Sequence, residues 1–275
     1  MPELPEVETI KRTLEHLVMN KRIEDITINW PKIIQAPEDI MHFKHLLMGE
    51  QINSMSRRGK FLLFNMQDYV LVSHLRMEGK YRVTHSSEPI DKHTHVIFHF
   101  TDGTELRYND VRKFGTMHLY PIGKENETKP LNQLGPDPFE SAYQLNYVEE
   151  KLLKTNRNIK AVLLDQTVIA GLGNIYVDEV LFLSKIHPER RAKTLSKNEI
   201  MNIFTNTKEV LSKAVHQGGT TIRSYVDGQG EMGMFQQTLF VYDQVEKPCK
   251  HCGQAIIKLR VSGRGTHICP DCQRL

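Results

Sequence analysis

CKHCGQAIIKLRVSGRGTHICPDC, residues 249–272, holds all four cysteines of a 275-residue chain. The spacing Cys249-x2-Cys252-x16-Cys269-x2-Cys272 makes two knuckles at the separation of a zinc ribbon. Four thiolates complete the tetrahedral shell of one Zn2+ and leave no position for water or substrate, so the metal is expected to be structural. Two disulfides are the competing reading, disfavoured in a chain that reads as cytoplasmic. Between the knuckles lie Lys258, Arg260, Arg264 and His267, with Gly263 and Gly265 flanking Arg264. A hairpin with an arginine at a Gly-x-Gly tip can reach a phosphate or a groove. The same charges on a small ribbon can equally be solvated surface.

Upstream of the ribbon the apolar period is helical. Ser196 with Glu199 three residues on is a capping box, and Ile200, Ile203, Phe204, Leu211, Ala214 and Val215 share the face that follows, until Gly218-Gly219 stops it. Shorter helical stretches are expected over 145–153, 159–164 and 175–183. In AGLGNIYVDE (170–179) the glycines lead into Asn174, placed to cap a helix from Ile175, and the exposed N–H groups of such a helix start suit an anion. The third glycine of a dinucleotide fingerprint and the Gly-Lys-Ser/Thr of a P-loop are missing. A purely structural turn is the alternative. Residues 220–235 are glycine-rich and polar and read as a mobile loop.

Before this helical region, residues 121–139 carry four prolines and two glycines and read as a linker. Residues 23–120 read as short strands, at 61–64, 69–75, 95–100, 105–108 and 117–120, with Asp102-Gly103 as a hairpin turn. Ahead of them Val7, Ile10, Leu14, Leu17 and Val18 recur at helical spacing after Pro5. The expected fold is α+β in two domains: an N-terminal helix with an antiparallel β-sandwich, then a helical domain ending in the ribbon.

A composition of 39% apolar and 25% charged residues is that of a soluble globular protein, and no apolar run approaches the roughly 20 residues that span a bilayer. The start MPELPEVETI has acids where a secretion signal has basic residues, so no targeting peptide and a cytoplasmic location are expected. A net charge of +3 leans toward a nucleic-acid partner without establishing one. Local clusters say more: Arg57, Arg58 and Lys60, then Arg76, Lys80, Arg82, Arg107, Arg112 and Lys113, crowd the β-rich region. They suit a phosphate-binding face or a solvated one. Arg112 and Phe114, two apart, point the same way on extended chain and could fill a gap in a base stack; Phe114 could also be core. The 13 histidines show no metal-ligand spacing; His74 and His93 adjoin the basic stretches.

PELPEVETI, RRGKFL around Lys60, SHLRMEGKY around Met77, DVRKFG around Arg112, AGLGNIYVDE and the four-cysteine ribbon with GRGTH together resemble bacterial formamidopyrimidine-DNA glycosylase, in order and across both domains. The resemblance implies a helix-two-turn-helix in the helical domain and three parts: residues 1–130 catalytic, 131–235 DNA-binding with a lesion-capping loop, and 236–275 zinc finger. It implies excision of oxidised purines from double-stranded DNA and strand cleavage at the abasic site by β,δ-elimination; a monomer fits a single lesion, and the short apolar runs leave no membrane partner expected. Removal of Met1 would leave Pro2 as a secondary amine nucleophile. A terminal amine titrates near 7.7–8.0, so about a fifth to a third of it is neutral at pH 7.4, against roughly 0.1% of a lysine. Glu3 would move protons at the sugar. Lys60 would donate in β-elimination, and Arg264 would bind phosphate and assist δ-elimination. His74, His93, Asn174, Lys258 and Arg264 would grip phosphates; Met77, Arg112 and Phe114 would fill the space of the everted base, with Arg112 on the orphaned cytosine. The loop 220–235 would close over the flipped base. Two other readings are a sister glycosylase for oxidised pyrimidines, opposed by the Met77, Arg112 and Phe114 trio, and a non-catalytic zinc-ribbon DNA-binding protein, opposed by intact Pro2, Glu3 and Lys60.

Overall fold

Pro5 stands in the first turn of α1 (Leu4–Val18), where a missing N–H costs nothing. Val7, Ile10, Leu14 and Val18 lie buried along one side, while Glu8, Lys11, Arg12 and Glu15 pair along the other. The computed structural model describes residues 1–220 and 233–275. They divide into two units, Met1–Asn132, and Gln133–Thr220 with Met234–Leu275. No helix among the described residues is long and apolar enough to cross a membrane.

In the first unit α1 is followed by β1 (Ile23–Ile28), β2 (Ile34–Ala36), α2 (Ile40–Leu47), β3 (Ser54–Arg58), β4 (Phe61–Asn65), β5 (Tyr69–His74), β6 (Lys80–His85), β7 (Thr94–Phe100), β8 (Thr104–Asn109) and β9 (Thr116–Pro121). Two sheets form, ordered β1-β7-β8-β6 and β2-β9-β5-β4-β3. Every pairing is antiparallel except the short parallel one of β2 with β9. Phe64, Leu71 and Met117 from one sheet share a core with Ile26, Phe98 and Leu106 from the other, which is the expected sandwich. The five strands read from apolar runs are β4, β5, β7, β8 and β9, and Gly103 at φ +80° turns β7 into β8.

The apolar pattern misses β3 and β6, whose sequences SMSRR and KYRVTH are mostly polar; each is recruited by a full antiparallel register with β4 and β8 respectively. It also misses α2, where the Asp39 carboxylate accepts the N–H groups of Met41 and His42 as an N-cap.

The second unit holds α3 (Leu145–Leu153), α4 (Ile159–Leu163), α5 (Asn174–Leu183), α6 (Lys197–His216) and a hairpin of β10 (Ile257–Val261) with β11 (Arg264–Ile268). Ser196 and Glu199 form the expected capping box on α6, and Gly218 and Gly219, both at positive φ, follow its end. Every residue of α5 from Ile175 to Phe182 is buried, including Asp178 and Glu179. Asp178 Oδ1 accepts from Lys160 Nζ at 2.6 Å, and its Oδ2 accepts the His267 N–H at 2.9 Å. Lys160 also donates to Thr266 Oγ1 at 2.8 Å. Glu179 accepts the N–H groups of Phe240, Val241 and Tyr242 at 2.8–2.9 Å. Two adjacent carboxylates of one helix therefore hold the strand β11 and the segment leading into the ribbon.

Both Lys160 and Asp178 have no exposed side-chain surface. Removing one partner strands the other charge in the interior, which typically costs about 3–5 kcal/mol. Lys160→Met is expected to lose stability of that order in urea unfolding of the intact protein; a loss under about 1 kcal/mol, the worth of a surface pair, would show the pair to be solvated.

Candidate functional site

Pro2 and Glu3 are buried immediately ahead of α1. Glu3 is its N-cap, and its N–H donates to the Glu6 carboxylate at 2.9 Å, so a reciprocal capping box fixes the residue next to the proposed nucleophile. The helix N-terminus favours a carboxylate there. Lys60, also buried, sits in the β3–β4 turn after Gly59, whose φ of +57° the tight reversal requires.

One guanidinium ties that turn to α1: Arg57 donates to Glu8 Oε2 at 3.1 Å and to the Gly59 carbonyl at 2.9 Å. Burial alone would raise the Glu8 carboxyl, but Arg57 and Arg12 beside it hold it below the usual range. Pro2, Glu3 and Lys60 thus stand on elements braced against each other.

His74 pairs across the sheet with Phe61, the residue after Lys60, their rings edge-on at 4.5 Å. Its Nδ1 accepts the Arg76 N–H at 2.8 Å, which leaves the proton of the neutral ring on Nε2. Burial, with the cations of Arg76 and Lys60 nearby, pushes its pKa down to about 3. His74 is a neutral N–H donor at physiological pH. His93 is half-buried, with its own N–H held by Asp91 at 2.7 Å and its carbonyl accepting the Asp110 N–H at 3.0 Å.

Asp110 organises the loop between β8 and β9. Its carboxylate accepts the N–H groups of Arg112, Phe114 and Gly115 at 2.9–3.0 Å. Above this anchor the Arg112 guanidinium lies 4.7 Å from the Phe114 ring centroid, a cation–π stack that holds the two side chains as one plate. Phe114 is 50% exposed and Met77 38%, so neither is core. Arg76 and Lys113 take left-handed backbone that side chains rarely adopt, and Lys113 Nζ lies 4.1 Å over Trp30, the single tryptophan.

The basic face is smaller than the sequence suggests. Arg107 is buried, paired with Glu105 at 2.7 Å and donating to the carbonyls of Glu88 and Pro89. Arg57 serves Glu8, and Arg82 pairs with Glu88.

In the second unit Asn174 does not cap α5. Gly173 is the N-cap, and the Asn174 amide donates instead to the Gly265 carbonyl at 2.9 Å, tying the helix start to β11. Its buried Oδ1 finds no partner among the described residues. The ribbon tip is the two-residue turn Ser262-Gly263, both at positive φ as a type I′ turn requires, and Arg264 is the first residue of β11 rather than the tip itself. Arg264 and Lys258 are exposed; His267, read from sequence as one of the hairpin's surface cations, is buried against Asp178. Of the loop expected over residues 220–235 to cover a flipped base, residues 221–232 lie outside the described residues.

The Sγ atoms of Cys249, Cys252, Cys269 and Cys272 lie within 4.8 Å of one another, with 249–272 at 3.9 Å and 252–269 at 3.4 Å. A zinc tetrahedron with bonds of about 2.3 Å separates its sulfurs by about 3.8 Å, so the cluster fits one ion. Burial and three neighbouring sulfurs push the Cys272 thiol up, a crowding that a cation relieves. The N–H groups of His251 and Cys272 donate to Cys249 and Cys269 sulfurs at 3.4 Å. Phe182 of α5 packs into the ribbon core with Val241, Ile256, Cys249 and Cys269.

Sequence reading missed Lys160, Asp178, Glu179, Tyr108 and Asp110, buried groups that hold or pack against the segments carrying the exposed residues. Only a polar residue inside an otherwise apolar stretch, as Asp178 and Glu179 are after NIYV, could have marked them.

Three family models match in order: the formamidopyrimidine-DNA glycosylase N-terminal domain over residues 1–117, the H2TH domain of the same family over 134–226, and a zinc finger found in FPG and IleRS over 246–275. A formamidopyrimidine-DNA glycosylase of Oceanobacillus iheyensis is 60% identical over 273 residues, 99% of this chain and 98% of its own. Among solved structures, Lactococcus lactis Fpg bound to abasic-site DNA is 42% identical with a TM-score of 0.93, covering 99% of this chain and 100% of that one. MutM in complex with carbocyclic 8-oxo-G DNA is 41% identical with the same score and full coverage of both chains. With matched models over most of its length, the chain belongs to the formamidopyrimidine-DNA glycosylase family.

Proposed function

We propose that the protein removes oxidised purines, 8-oxoguanine and formamidopyrimidines, from duplex DNA and cleaves the strand at the resulting abasic site, acting as a monomer in the cytoplasm. The observation that carries this reading is the braced pair of elements on which Pro2, Glu3 and Lys60 stand, linked by Glu8 and Arg57. The names of the similar proteins, and the abasic and 8-oxo-G DNA in the solved complexes, support it.

With Met1 removed, the neutral Pro2 nitrogen attacks C1′ of the damaged nucleotide. The N–C1′ bond forms as the bond to the base breaks, the departing base takes up the proton that the Pro2 nitrogen loses, and Glu3 protonates the ring oxygen as the sugar opens. The product is a Schiff base whose positive charge acidifies the C2′ proton. Loss of that proton expels the 3′ phosphate by β-elimination, with Lys60 as proton donor, and Arg264 assists the second elimination. Base removal and strand cleavage share one covalent intermediate.

His74, His93, Asn174, Lys258 and Arg264 bind phosphates, and Met77, Arg112 and Phe114 enter the vacated stack, with Arg112 hydrogen-bonding the orphaned cytosine. Residues 1–130 supply the chemistry, 131–235 the helical grip, and 236–275 the finger. Zinc on the four cysteines supplies structure to the ribbon and no step of the reaction.

Borohydride trapping on a duplex with one 8-oxoguanine opposite cytosine is expected to give an adduct at residue 2 by peptide mass spectrometry, and Pro2→Gly to reduce it to background. Full trapping by the variant would remove Pro2 from the role. The neutral His74 makes a second prediction: its ring signals in NMR stay at the neutral position from pH 8 down to 5. Because its folded pKa of about 3 lies below the ordinary 6.5, the unfolded chain takes the proton first. The contribution of His74 to stability is complete above about pH 6.5 and is lost as pH falls from there toward about 3. A His74 titration near 6.5 in the folded protein would contradict both statements.

A further inference from the structure

Tyr108 of β8 is fully buried, and its hydroxyl ends between two loops. A Cβ added to Gly79 would meet the Tyr108 hydroxyl oxygen at 2.2 Å, and one added to Gly115 would meet it at 1.8 Å. The phenol end is therefore seated between the two α-carbons. Neither glycine has positive φ, so what each supplies is room and not an unusual backbone.

Gly79 closes the loop that carries Met77, and its N–H donates to the Leu75 carbonyl at 3.0 Å. Gly115 closes the loop that carries Arg112 and Phe114, and its N–H donates to Asp110 at 2.9 Å. The ring is backed by Tyr81, its cross-strand partner on β6, edge-on at 5.1 Å. Tyr81 is itself fixed by a 2.7 Å hydrogen bond to Ser73 of the opposite sheet. Burial keeps both phenols protonated. A close-packed interior passes a displacement at one surface to the other instead of absorbing it.

We propose that Tyr108 is a positioning residue that sets the spacing between Met77 and the Arg112–Phe114 plate, and through that spacing the choice of opposite base. The proposal rests on reading those three residues as the ones that fill the vacated stack. A hydrogen bond from Arg112 to a cytosine edge weakens steeply with angle and distance, so the spacing matters most opposite C. Tyr108 has no exposed surface with which to touch DNA, and acts through the two loops.

The test is single-turnover excision of 8-oxoguanine opposite C and opposite A by wild-type protein, Tyr108→Phe, Gly115→Ala and Tyr81→Phe, with borohydride trapping on a preformed abasic site in parallel. Tyr108→Phe is expected to lower the C-to-A rate ratio by about tenfold, within the roughly 100-fold that a 1 Å misplacement can cost, while trapping persists. Gly115→Ala, which keeps Tyr108 and presses the loop away from it, is expected to lower the ratio as well. Tyr81→Phe deletes a hydroxyl from the same core without touching either loop, and is expected to keep the wild-type ratio. A wild-type ratio in both Tyr108→Phe and Gly115→Ala overturns the proposal, and so does an equal fall in Tyr81→Phe, which would mark general loosening of the sandwich. Absence of trapping and of any C preference in the wild-type protein overturns the glycosylase reading itself, and this assignment with it.

Discussion

A lysine with no exposed surface is tolerable only beside a carboxylate that is held in turn, and Lys160 with Asp178 is that arrangement. Asp178 spends its second oxygen on the backbone of His267, and Lys160 spends its remaining donors on Thr266 and the Gly265 carbonyl. All three acceptors and donors belong to β11, whose first residue is Arg264. The ribbon hairpin is thus anchored to α5 by charge-assisted hydrogen bonds in a dry interior, where they are strongest. Glu179 repeats the device one residue on, and Asn174 adds a bond to Gly265. Zinc orders the ribbon itself; α5 decides where its exposed arginine is held within the second unit.

The first unit follows the same logic with other residues. Its exposed tips, Met77, Arg112 and Phe114, are poor sites for self-organisation because each is half in solvent. Their precision comes from buried roots: Asp110 collecting three backbone N–H groups, and Tyr108 packed against both loop closures. The turn bearing Lys60 is likewise rooted through Arg57 in Glu8 of α1. In the first unit these exposed residues stand on buried polar groups that hold their backbone, the kind of support a recognition site needs to keep its geometry.

Charge at the surface is also more selective than composition implies. Arg107 and Arg57 are consumed by carboxylates inside the fold, so the cations left at the surface are a subset of those counted along the sequence. His74 is kept neutral at physiological pH by burial, with the cations of Arg76 and Lys60 lowering its pKa further.

The sequence alone carried what depends on local spacing. The zinc ribbon follows from two Cys-x2-Cys knuckles, α6 from Ser196 and Glu199, α1 from Pro5 and its apolar period, and five strands from apolar runs. The motifs around Pro2, Lys60, Met77, Arg112 and Asn174 were enough to identify the family, since each is a short contiguous run legible without any tertiary contact. What it could not carry is any property set by partners distant along the chain. The polar strands β3 and β6 exist because β4 and β8 pair with them, and Asn174 lies inside the helix behind the Gly173 cap, its amide donating to the carbonyl of Gly265, 91 residues on. His267 looks like a surface cation until Asp178 buries it. Only the folded arrangement decides these, because a buried polar group must find its hydrogen bonds wherever the chain brings a partner, and local pattern does not say where that will be.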